Sequence, residues 1–410
     1  MINNKQNFDK ILFIGTFADD QYYDFLFEQG LYKQQAANSV EKFYIEGLVQ
    51  AKKDVEILSG LVTVPYPKTK VKYLEAHDSE FIGCNIKNIE FINYPFINIL
   101  SQNKNITKYA KKWALSNVNK NVLVIVYSLR VPFLKAAEIL KKHMSNCKVI
   151  CIVPDLPQYM HSNNNILRNI ATNINKTWMN QLLPVVDGYI LYSKHMAEAL
   201  NIENKPWTVI EGIFDSTDEK CKEIRDRNLN MGIKKIIYAG GLSRMYGIDN
   251  LINGFINANI NGAILELYGD GEFKEEILEI SKVHDNVKYK GLVNRKDLRS
   301  VLISADLLIN PRPTKGEFTK YSCPSKTLEY MSTGVPVLMT KLEGIPDEYY
   351  DYVYSIEKDD SEGIADAINK VFDIPSEKRI QLAHEAKEFI YNKKNPRVQI
   401  EKMFSLIEKI

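Results

Sequence analysis

The feature that most constrains the fold of this chain is a repeated alternation of short apolar runs with helical patterns. In the second half of the chain, apolar runs at residues 236–239, 264–268 and 305–310 are followed by Gly-Gly, Gly-Asp-Gly and Pro-Arg turns, and then by helical patterns. Strands joined by helices form parallel sheets with right-handed crossovers, and such sheets bind ligands outside the carboxyl ends of their strands. We therefore expect these turns, and the helix that begins near Pro324, to meet at one edge of a sheet.

The first half of the chain shows the same alternation. Helical patterns such as those at residues 40–52 and 131–144 separate several short apolar runs, which are predicted to be strands at 11–14, 55–58, 89–92, 122–127, 149–153, 189–192 and 208–210. A chain of 410 residues exceeds what one hydrophobic core usually organises. The sequence thus predicts an α/β protein with two Rossmann-like, doubly wound lobes that face a central cleft.

The boundary between the lobes is expected where a predicted strand gives way to the polar segment 215–230. This places a first lobe at residues 1–211, a linker at 212–233 and a second lobe at 234–394. Residues 395–410 are predicted to form a final helix.

Composition narrows the class of protein. The five cysteines show neither the paired spacing of a metal site nor the density of a disulfide framework, so a reducing cytoplasm is expected. The amino terminus lacks an apolar signal core, and no run approaches the roughly 18 apolar residues of a membrane span. Asp19, Asp20 and Asp24 lie near a predicted helix start, where acids favour the helix dipole, and no metal site is expected there.

Charge is distributed unevenly along the chain. Residues 1–210 carry 24 Lys and Arg against 18 Asp and Glu, whereas the remainder carries 29 against 33. This excess is too weak for a nucleic-acid binder, but it suits an anionic membrane surface. Lys104, Lys108, Lys111 and Lys112 with Trp113 form one basic, partly apolar stretch, and residues 167–183, with Arg168, Lys176 and Trp178, form another. The alternative is that both are solvated helices with packed aromatic residues.

Residues 324–336 predict an anion site at a helix start. Ser325 is expected to cap the helix and leave the amides of Lys326, Thr327 and Leu328 facing an anion, to which Lys326 adds a full charge. Glu329, one turn further on, can accept two hydrogen bonds from ribose hydroxyls. This combination suits a nucleoside diphosphate. The alternative is an ordinary capped helix with a solvated Lys and Glu.

Four motifs carry a family resemblance: Tyr-Ala-Gly-Gly-Leu at 238–242, Tyr-Gly-Asp-Gly at 268–271, Lys-Gly-Leu-Val at 290–293 and Pro-Ser-Lys-Thr-Leu-Glu-Tyr-Met at 324–331. In order and spacing the chain resembles the retaining nucleotide-sugar glycosyltransferases of family four, which have the GT-B arrangement of two lobes. The resemblance is strongest over residues 236–350. It implies an acceptor-binding first lobe, a final helix that crosses back to that lobe, and a second lobe that binds the donor. The implied donor-binding residues are Gly240, Gly241, Ser243, Arg244, Gly269, Gly271, Val293, Ser325, Lys326, Thr327 and Glu329.

The chain departs from the family pattern at two places. Gly241 and Tyr246 stand where the family commonly carries an Arg and a Lys that bind the donor diphosphate. Lys326 and Arg312 are the first candidates to supply that charge, and Arg244 is the third. Tyr321 stands at the position of the first of two family glutamates, while Glu317 lies upstream on a longer loop.

The resemblance and the predicted sheet edge together assign the chemistry. Gly15 and Thr16 follow the first predicted strand and Asp155 follows the fifth, so these residues are candidates for the acceptor side. Asp155 would orient the acceptor hydroxyl, although a turn role between Pro154 and Pro157 is the alternative. With Arg312 and Lys326 stabilising the leaving diphosphate, these three are the predicted catalytic residues.

The resemblance therefore implies a retaining, metal-independent glycosyltransferase without a cofactor. Its donor is expected to be UDP-linked, and its acceptor a saccharide or a lipid-linked saccharide in cell-surface polysaccharide synthesis. The protein is expected in the cytoplasm, as a peripheral protein on the inner face of the membrane. A nucleotide-sugar 2-epimerase and a non-catalytic nucleotide-sugar-binding subunit remain as alternatives. A nicotinamide dehydrogenase is disfavoured, because residues 14–19 lack Gly-x-Gly-x-x-Gly.

Overall fold

The computed structural model describes residues 8–32, 34–156, 177–214, 234–321 and 323–410, without the side chains of residues 295, 296, 317 and 318. The chain divides into two compact units, Met1–Ile213 with Pro396–Ile410, and Phe214–Asn395. Residues 215–233 of the predicted linker lie outside the described residues, as do residues 167–176 of the second basic stretch. None of the described helices is both long enough and apolar enough to span a membrane.

The first unit is built on an eight-stranded sheet with the order β10-β9-β8-β7-β1-β2-β5-β4. All neighbouring strands are parallel except the hairpin β4–β5. The strands of this unit, including a separate two-stranded sheet of β3 and β6, are β1 Lys10–Gly15, β2 Val55–Ser59, β3 Tyr73–Leu74, β4 His77–Phe81, β5 Cys84–Asn88, β6 Phe91–Ile92, β7 Val122–Tyr127, β8 Cys147–Val153, β9 Gly188–Leu191 and β10 Trp207–Val209. Its helices are Asp20–Glu28, Gln35–Gln50, Ile97–Ser116, Val131–His143, Met196–Ala199 and Pro396–Ile407, with a 3₁₀ turn at Leu183–Val185.

Central strands of the first unit are almost entirely apolar. Every residue of β7 is buried, and only one residue of β8 is partly exposed. Helices cover both faces of a parallel sheet, which explains why these strands do not alternate between apolar and polar residues. Helix Pro396–Ile407 completes this core by packing against helix Gln35–Gln50, where Gly47 allows close approach to Ile400.

One strand of the first unit differs from prediction. The apolar run at residues 89–92 was expected to form a strand of the main sheet. Instead β5, at Cys84–Asn88, pairs with β2, while Phe91–Ile92 belongs to the small sheet. The turn at Ile82 and Gly83, both with positive φ, closes the β4–β5 hairpin that makes this exchange possible.

The second unit is built on a six-stranded, fully parallel sheet with the order β13-β12-β11-β14-β15-β16. Its strands are β11 Lys234–Ala239, β12 Ala263–Tyr268, β13 Val287–Gly291, β14 Leu307–Asn310, β15 Val337–Thr340 and β16 Tyr354–Ile356. Its helices are Ile248–Ala258, Lys274–Val283, Arg295–Ile303, Ser325–Met331, Ser361–Asp373 and Ser376–Lys393, with 3₁₀ turns at Arg244–Tyr246, Glu317–Lys320 and Asp347–Tyr349.

The strand orders locate the expected ligand edges. In the second unit, β12 and β13 lie on one side of β11, and β14 to β16 lie on the other side, so the strand order switches between β11 and β14. In the first unit the strand order switches between β1 and β7. Doubly wound sheets bind ligands at such switch points. Gly240 and Arg312 follow the two strands of one switch point, while Gly15 ends one strand of the other and Ser128 follows its partner. The prediction of two Rossmann-like, doubly wound lobes is confirmed.

Candidate active site

Two glycine turns pack against each other at the carboxyl ends of β11 and β12. The amide of Gly240 donates to the carbonyl of Tyr268 at 2.9 Å, and the amide of Leu242 donates to the carbonyl of Asp270 at 2.9 Å. Gly240 and Gly269 have φ angles of +154° and +135°, and a β-carbon at Gly269 would collide with the carbonyl of Gly240. Glycine is required here because the two backbones touch.

The side chain of Lys326 folds back across the Gly240 turn. Its ammonium group donates a hydrogen bond to the Tyr238 hydroxyl at 2.7 Å, and that hydroxyl donates to the carbonyl of Gly241 at 2.8 Å. The ammonium lies 4.3 Å from the centre of the Tyr238 ring. A β-carbon at Gly240 would occupy the position of Lys326 Nζ. The glycine turn and the lysine thus pack together, although they are 86 positions apart in the sequence.

Tyr330 fixes the helix that carries Lys326. Its buried hydroxyl accepts a hydrogen bond from the amide of Ala239 at 2.8 Å and donates to the carbonyl of the same residue at 3.1 Å. Ala239 is the last residue of β11, so this double contact ties helix Ser325–Met331 to the strand end. Lys326 lies one helical turn before Tyr330 and is thereby held over the switch point.

Tyr246 joins the lysine to a second cation. The centre of its ring lies 5.6 Å from Lys326 Nζ and 5.8 Å from the Arg312 guanidinium carbon. The ring also covers Gly241, where a β-carbon would approach it to 2.8 Å. The structure therefore brings Arg312 and Lys326 together around an aromatic side chain, at the two positions where the family pattern is altered.

Burial destabilises the charge on both cations. Burial, with a smaller contribution from the charge of Arg312, lowers the pKa of Lys326 to about 8, and Glu329 opposes this change. Burial likewise lowers the pKa of the Arg312 guanidinium. An anion bound between the two side chains would favour both charged forms. The site is suited to a ligand that carries several negative charges.

The helix start itself differs from prediction. Ser325 does not cap the helix: it is the first helical residue, it is exposed, and the capping position is held by Pro324 without a side-chain hydrogen bond. Because the helix has only seven residues, its dipole is small. An anion bound at the helix start would therefore be attracted mainly by the charge of Lys326, and less by the backbone amides than predicted. Thr327 is buried, and its hydroxyl has no hydrogen-bond partner among the residues that the structure describes. Glu329 is half-buried on the same short helix.

Other predicted donor residues have different surroundings. The Ser243 hydroxyl accepts from the amide of Met245 at 3.2 Å and donates to Glu272 at 2.8 Å. Arg244 lies over the ring of Phe273, 5.1 Å from its centre, and not beside the Tyr246 ring. The remaining predicted positions lie in neighbouring turns: Gly271 packs on the backbone of Leu242, and Val293 is half-buried after β13. The side chain of Glu317 lies outside the described residues.

The first unit holds a polar cluster at its own switch point. The backbone amide and the hydroxyl of Thr16 both donate to the carboxylate of Glu41, the amide at 2.8 Å, and Tyr32 donates to the carbonyl of Thr16 at 2.8 Å. Glu41 is fully buried, and burial raises its pKa to about 8. Its carboxylate fills the space that a β-carbon at Gly15 would need. Glu41 was missed because a buried acid in an amphipathic helix has no signal in sequence.

Asp155 and Arg130 lie at the carboxyl ends of neighbouring strands of this unit. Asp155 follows β8 and remains exposed, although the surrounding protein raises the pKa of its carboxyl. Arg130 follows β7 and donates to the carbonyl of Gly60 at 3.4 Å, and burial lowers its pKa to about 10. Arg130 was also missed by the sequence analysis, although its place just after a predicted strand was a usable signal.

The acids near the first helix have a structural role. Asp19 caps helix Asp20–Glu28 by accepting from the amides of Gln21 and Tyr22, both at 3.1 Å. Within the described ranges, no three His, Cys, Asp or Glu side chains are grouped closely enough to hold a metal ion.

Comparison with known proteins points to one class of enzyme. Residues 233–373 match the family model described as glycosyl transferases group 1. This segment holds every residue of the Lys326 and Arg312 cluster described above. A search of curated protein sequences gave no match.

Solved structures match nearly the whole chain. Sucrose-phosphate synthase from Thermosynechococcus elongatus has a TM-score of 0.62 at 14% identity, covering 98% of this chain and 99% of that one. Anabaena HepE in complex with UDP has a TM-score of 0.59 at 15% identity, covering 97% and 99%. The lipopolysaccharide outer core galactosyltransferase WaaB has a TM-score of 0.62 at 14% identity, covering 98% and 100%. At these identities the likeness shows the fold, which is of the GT-B class. Together with the family match it supports a glycosyltransferase.

Proposed function

We propose that this protein is a glycosyltransferase that uses a nucleoside diphosphate sugar as donor and retains the anomeric configuration. The observation that carries the proposal is the pair of partly buried cations, Lys326 and Arg312, held around Tyr246 at the switch point of the second sheet. A diphosphate bound there would place its charge where two cations are held at an energetic cost. The match of residues 233–373 to group 1 glycosyl transferases and the complex of Anabaena HepE with UDP support this interpretation.

The cation pair would act on the leaving group. When the bond between the sugar and the diphosphate breaks, negative charge grows on the phosphate oxygens and an oxocarbenium-like centre forms on the sugar. Lys326 and Arg312 would stabilise this growing charge more than the charge of the intact donor, which lowers the barrier. The acceptor hydroxyl would attack from the same face, and the leaving phosphate would take its proton.

The proposed substrates rest on the remaining residues and on the family resemblance. Glu329, one turn after the lysine on the same helix, would accept hydrogen bonds from the ribose hydroxyls, and UDP is the proposed nucleotide. Asp155 would orient the acceptor hydroxyl, beside the turn of Gly15 and Thr16. We propose a saccharide or lipid-linked saccharide acceptor in cell-surface polysaccharide synthesis, at the cytoplasmic face of the membrane. The two cations would take the place of a metal ion.

A thermal-shift panel of UDP, GDP, ADP, dTDP and CMP tests the donor site. A ligand at about 100 times its dissociation constant should add roughly 2.7 kcal/mol to the free energy of unfolding. We expect one diphosphate to raise the melting temperature of the wild type, and Lys326→Ala and Glu329→Ala to remove that shift while remaining folded. Asp155→Ala should keep the nucleotide shift but slow transfer to an acceptor. Normal nucleotide shifts in both donor-site variants would contradict the assigned site.

A non-catalytic nucleotide-sugar-binding subunit is the second candidate. Gly241 and Tyr246, which replace the family's Arg and Lys, are the observation that favours it. A nucleotide shift without turnover, with any acceptor, would support this alternative. Conversion of the donor sugar in the absence of an acceptor would instead support a 2-epimerase.

A further inference from the structure

Helix Ile97–Ser116 presents an outward stripe made only of apolar and basic residues. The stripe follows the helical spacing of three and four positions and consists of Ile97, Leu100, Lys104, Lys108, Lys111 and Leu115. All six are exposed, and Leu100 and Leu115 expose 58% and 59% of their surface. The opposite side, formed by Gln102, Ile106, Ala110 and Ala114, is buried. Isolated exposed leucines are ordinary, but a continuous exposed stripe of this composition is not.

Phe96, just before this helix, is held outward by a strained turn. Its φ of +65° and ψ of −43° form a γ-turn, closed by a hydrogen bond from the amide of Ile97 to the carbonyl of Pro95 at 2.8 Å. Such turns are rare and strained for residues other than glycine. The phenyl ring gains little packing in return, since 63% of the residue surface is exposed. A strained turn that exposes a large apolar ring indicates a function for that ring.

The small sheet beside the helix start extends the apolar surface. Tyr73 and Ile92 are direct partners across β3 and β6, and both side chains are exposed, by 49% and 41%. The amide of Ile92 donates to the Ser101 hydroxyl at 3.0 Å, which ties this small sheet to the helix. Tyr73, Ile92, Phe96, Ile97 and Leu100 are here called the apolar patch.

Lysines border this apolar patch, and acids are missing from the helix. Lys104, Lys108, Lys111 and Lys112 are exposed, and none has a carboxylate of the described residues within 4.0 Å. The sequence contains no Asp or Glu from residue 91 to residue 137. The carboxylate of Glu90, which precedes this segment, accepts a hydrogen bond from Tyr109 of the helix at 3.1 Å. Unpaired lysines on a helix that itself lacks acids are complementary to a surface of negative charge.

The structure also shows where the tryptophans of the two predicted basic stretches lie. Trp113 was grouped with these lysines in one basic stretch, but it lies on the inner side of the helix, where its indole donates to Glu56 at 2.7 Å. Trp178, from the second basic stretch, lies near Lys135, whose ammonium is 5.4 Å from the ring centre. Trp113 therefore does not belong to the outward stripe of this helix.

We propose that the apolar patch and the lysines of helix Ile97–Ser116 dock the first unit on an anionic lipid bilayer. Phe96, Ile97 and Leu100 would enter the boundary between headgroups and acyl chains, and Lys104, Lys108 and Lys111 would lie among anionic headgroups. The helix would lie in the plane of the surface, so this docking needs no membrane-spanning segment. The inference rests on the proposed function only for the membrane location, to which it assigns a surface, and its test involves neither a nucleotide nor sugar transfer.

Co-sedimentation of the full chain with lipid vesicles tests the proposal. The probes are vesicles of phosphatidylcholine alone and of phosphatidylcholine mixed with phosphatidylglycerol. We expect binding to the mixed vesicles only, weakened by salt. Each lysine near an anionic surface contributes about fivefold in affinity, so Lys104→Gln/Lys108→Gln/Lys111→Gln should weaken binding on the order of 100-fold. Phe96→Ser and Leu100→Ser should each weaken it about tenfold.

Matched variants in the second unit serve as controls. Lys288→Gln/Lys370→Gln/Lys378→Gln removes three exposed lysines of the described second unit, and Val283→Ser removes an apolar residue that is 78% exposed. These variants should bind vesicles as the wild type does. Equal losses in the control and patch variants, or no binding of the wild type to the mixed vesicles, would overturn the proposal. If the patch variants instead convert a dimer into a monomer in sedimentation velocity without any vesicle binding, a second copy of the chain is the occupant and the proposal is wrong.

Discussion

The ammonium group of Lys326 donates a hydrogen bond to the hydroxyl of Tyr238 at 2.7 Å, across a turn in which Gly240 has no side chain. Each partner depends on the other. The lysine reaches the tyrosine only because the glycine leaves its path open, and the tyrosine in turn supports the turn by donating to Gly241. The positive charge beside this turn therefore comes from Lys326, on the helix after β14. In the resembled family an Arg in the loop after β11 commonly supplies such a charge.

Donor binding should weaken as the pH rises above about 8. Lys326 has a lowered pKa of about 8, so its charged form is lost through this range, and a diphosphate then meets one cation fewer. The affinity of the wild type for UDP should therefore fall between about pH 7.5 and 9. Lys326→Arg, which stays charged, should show a flatter profile. Isothermal titration of both proteins across this range measures the difference, and identical profiles would contradict the role of Lys326.

Gly240→Ala should abolish donor binding with a modest loss of stability. A β-carbon at this position collides with Lys326 Nζ and must displace the lysine from the site. Gly83→Ala is the matched control, because Gly83 also has positive φ, +82°, but a β-carbon added there would have no other atom within 4 Å. Both variants should lose about 1 kcal/mol of stability from backbone strain, measured by urea unfolding. Only Gly240→Ala should lose the thermal shift with UDP.

Tyr330→Phe should lower both stability and donor affinity. The change removes the partner of the buried Ala239 amide, which costs about 1–3 kcal/mol in the free energy of unfolding. It also frees the helix that carries Lys326, so the dissociation constant for UDP should rise severalfold. Tyr189→Phe in the first unit removes a hydroxyl that donates to Leu183 at 3.1 Å and should affect stability alone. A donor affinity unchanged in Tyr330→Phe would show that the helix is held by other contacts.

Glu41→Gln should change the pH dependence of stability. Burial raises the pKa of Glu41 to about 8, so the unfolded chain loses this proton at a lower pH than the folded chain does. The wild type should thus lose stability as the pH rises from about 4.5 to about 8, relative to the glutamine variant. Chemical unfolding of both proteins across this range measures the difference. Parallel stability curves would mean that Glu41 is already ionised in the folded protein at low pH.

Patterns of strands and turns allowed much of the fold to be predicted. Residues such as Gly240, Gly269 and Arg312 follow apolar runs, and the parallel topology alone was enough to place them near one edge. The sequence did not show that Cys84–Asn88, and not residues 89–92, forms the strand of the main sheet. Both segments are short, and apolar residues alternate in each.

Side-chain partners were predicted less well, because they depend on packing between distant segments. Lys326 was predicted to be an anion ligand, but its contacts with Tyr238 and Tyr246 could not be predicted, because they depend on the meeting of a helix and a loop far apart in sequence. Ser325 was assigned as a cap because serine is favoured there, whereas Pro324 takes that position and leaves the hydroxyl exposed. Glu41 gave no signal at all, since nothing in its local sequence indicates full burial.

The placement of helix Pro396–Ile407 has a consequence for the order of events during synthesis. Ile400, Met403, Phe404 and Ile407 belong to the same core as Ile11 and Phe13 of the first strand. Domains usually fold as they leave the ribosome, beginning with the one made first. Here the first unit lacks part of its interior until residues 396–407 emerge, whereas the second unit already has its whole sequence. The unit that is translated second is therefore the one that can finish folding first.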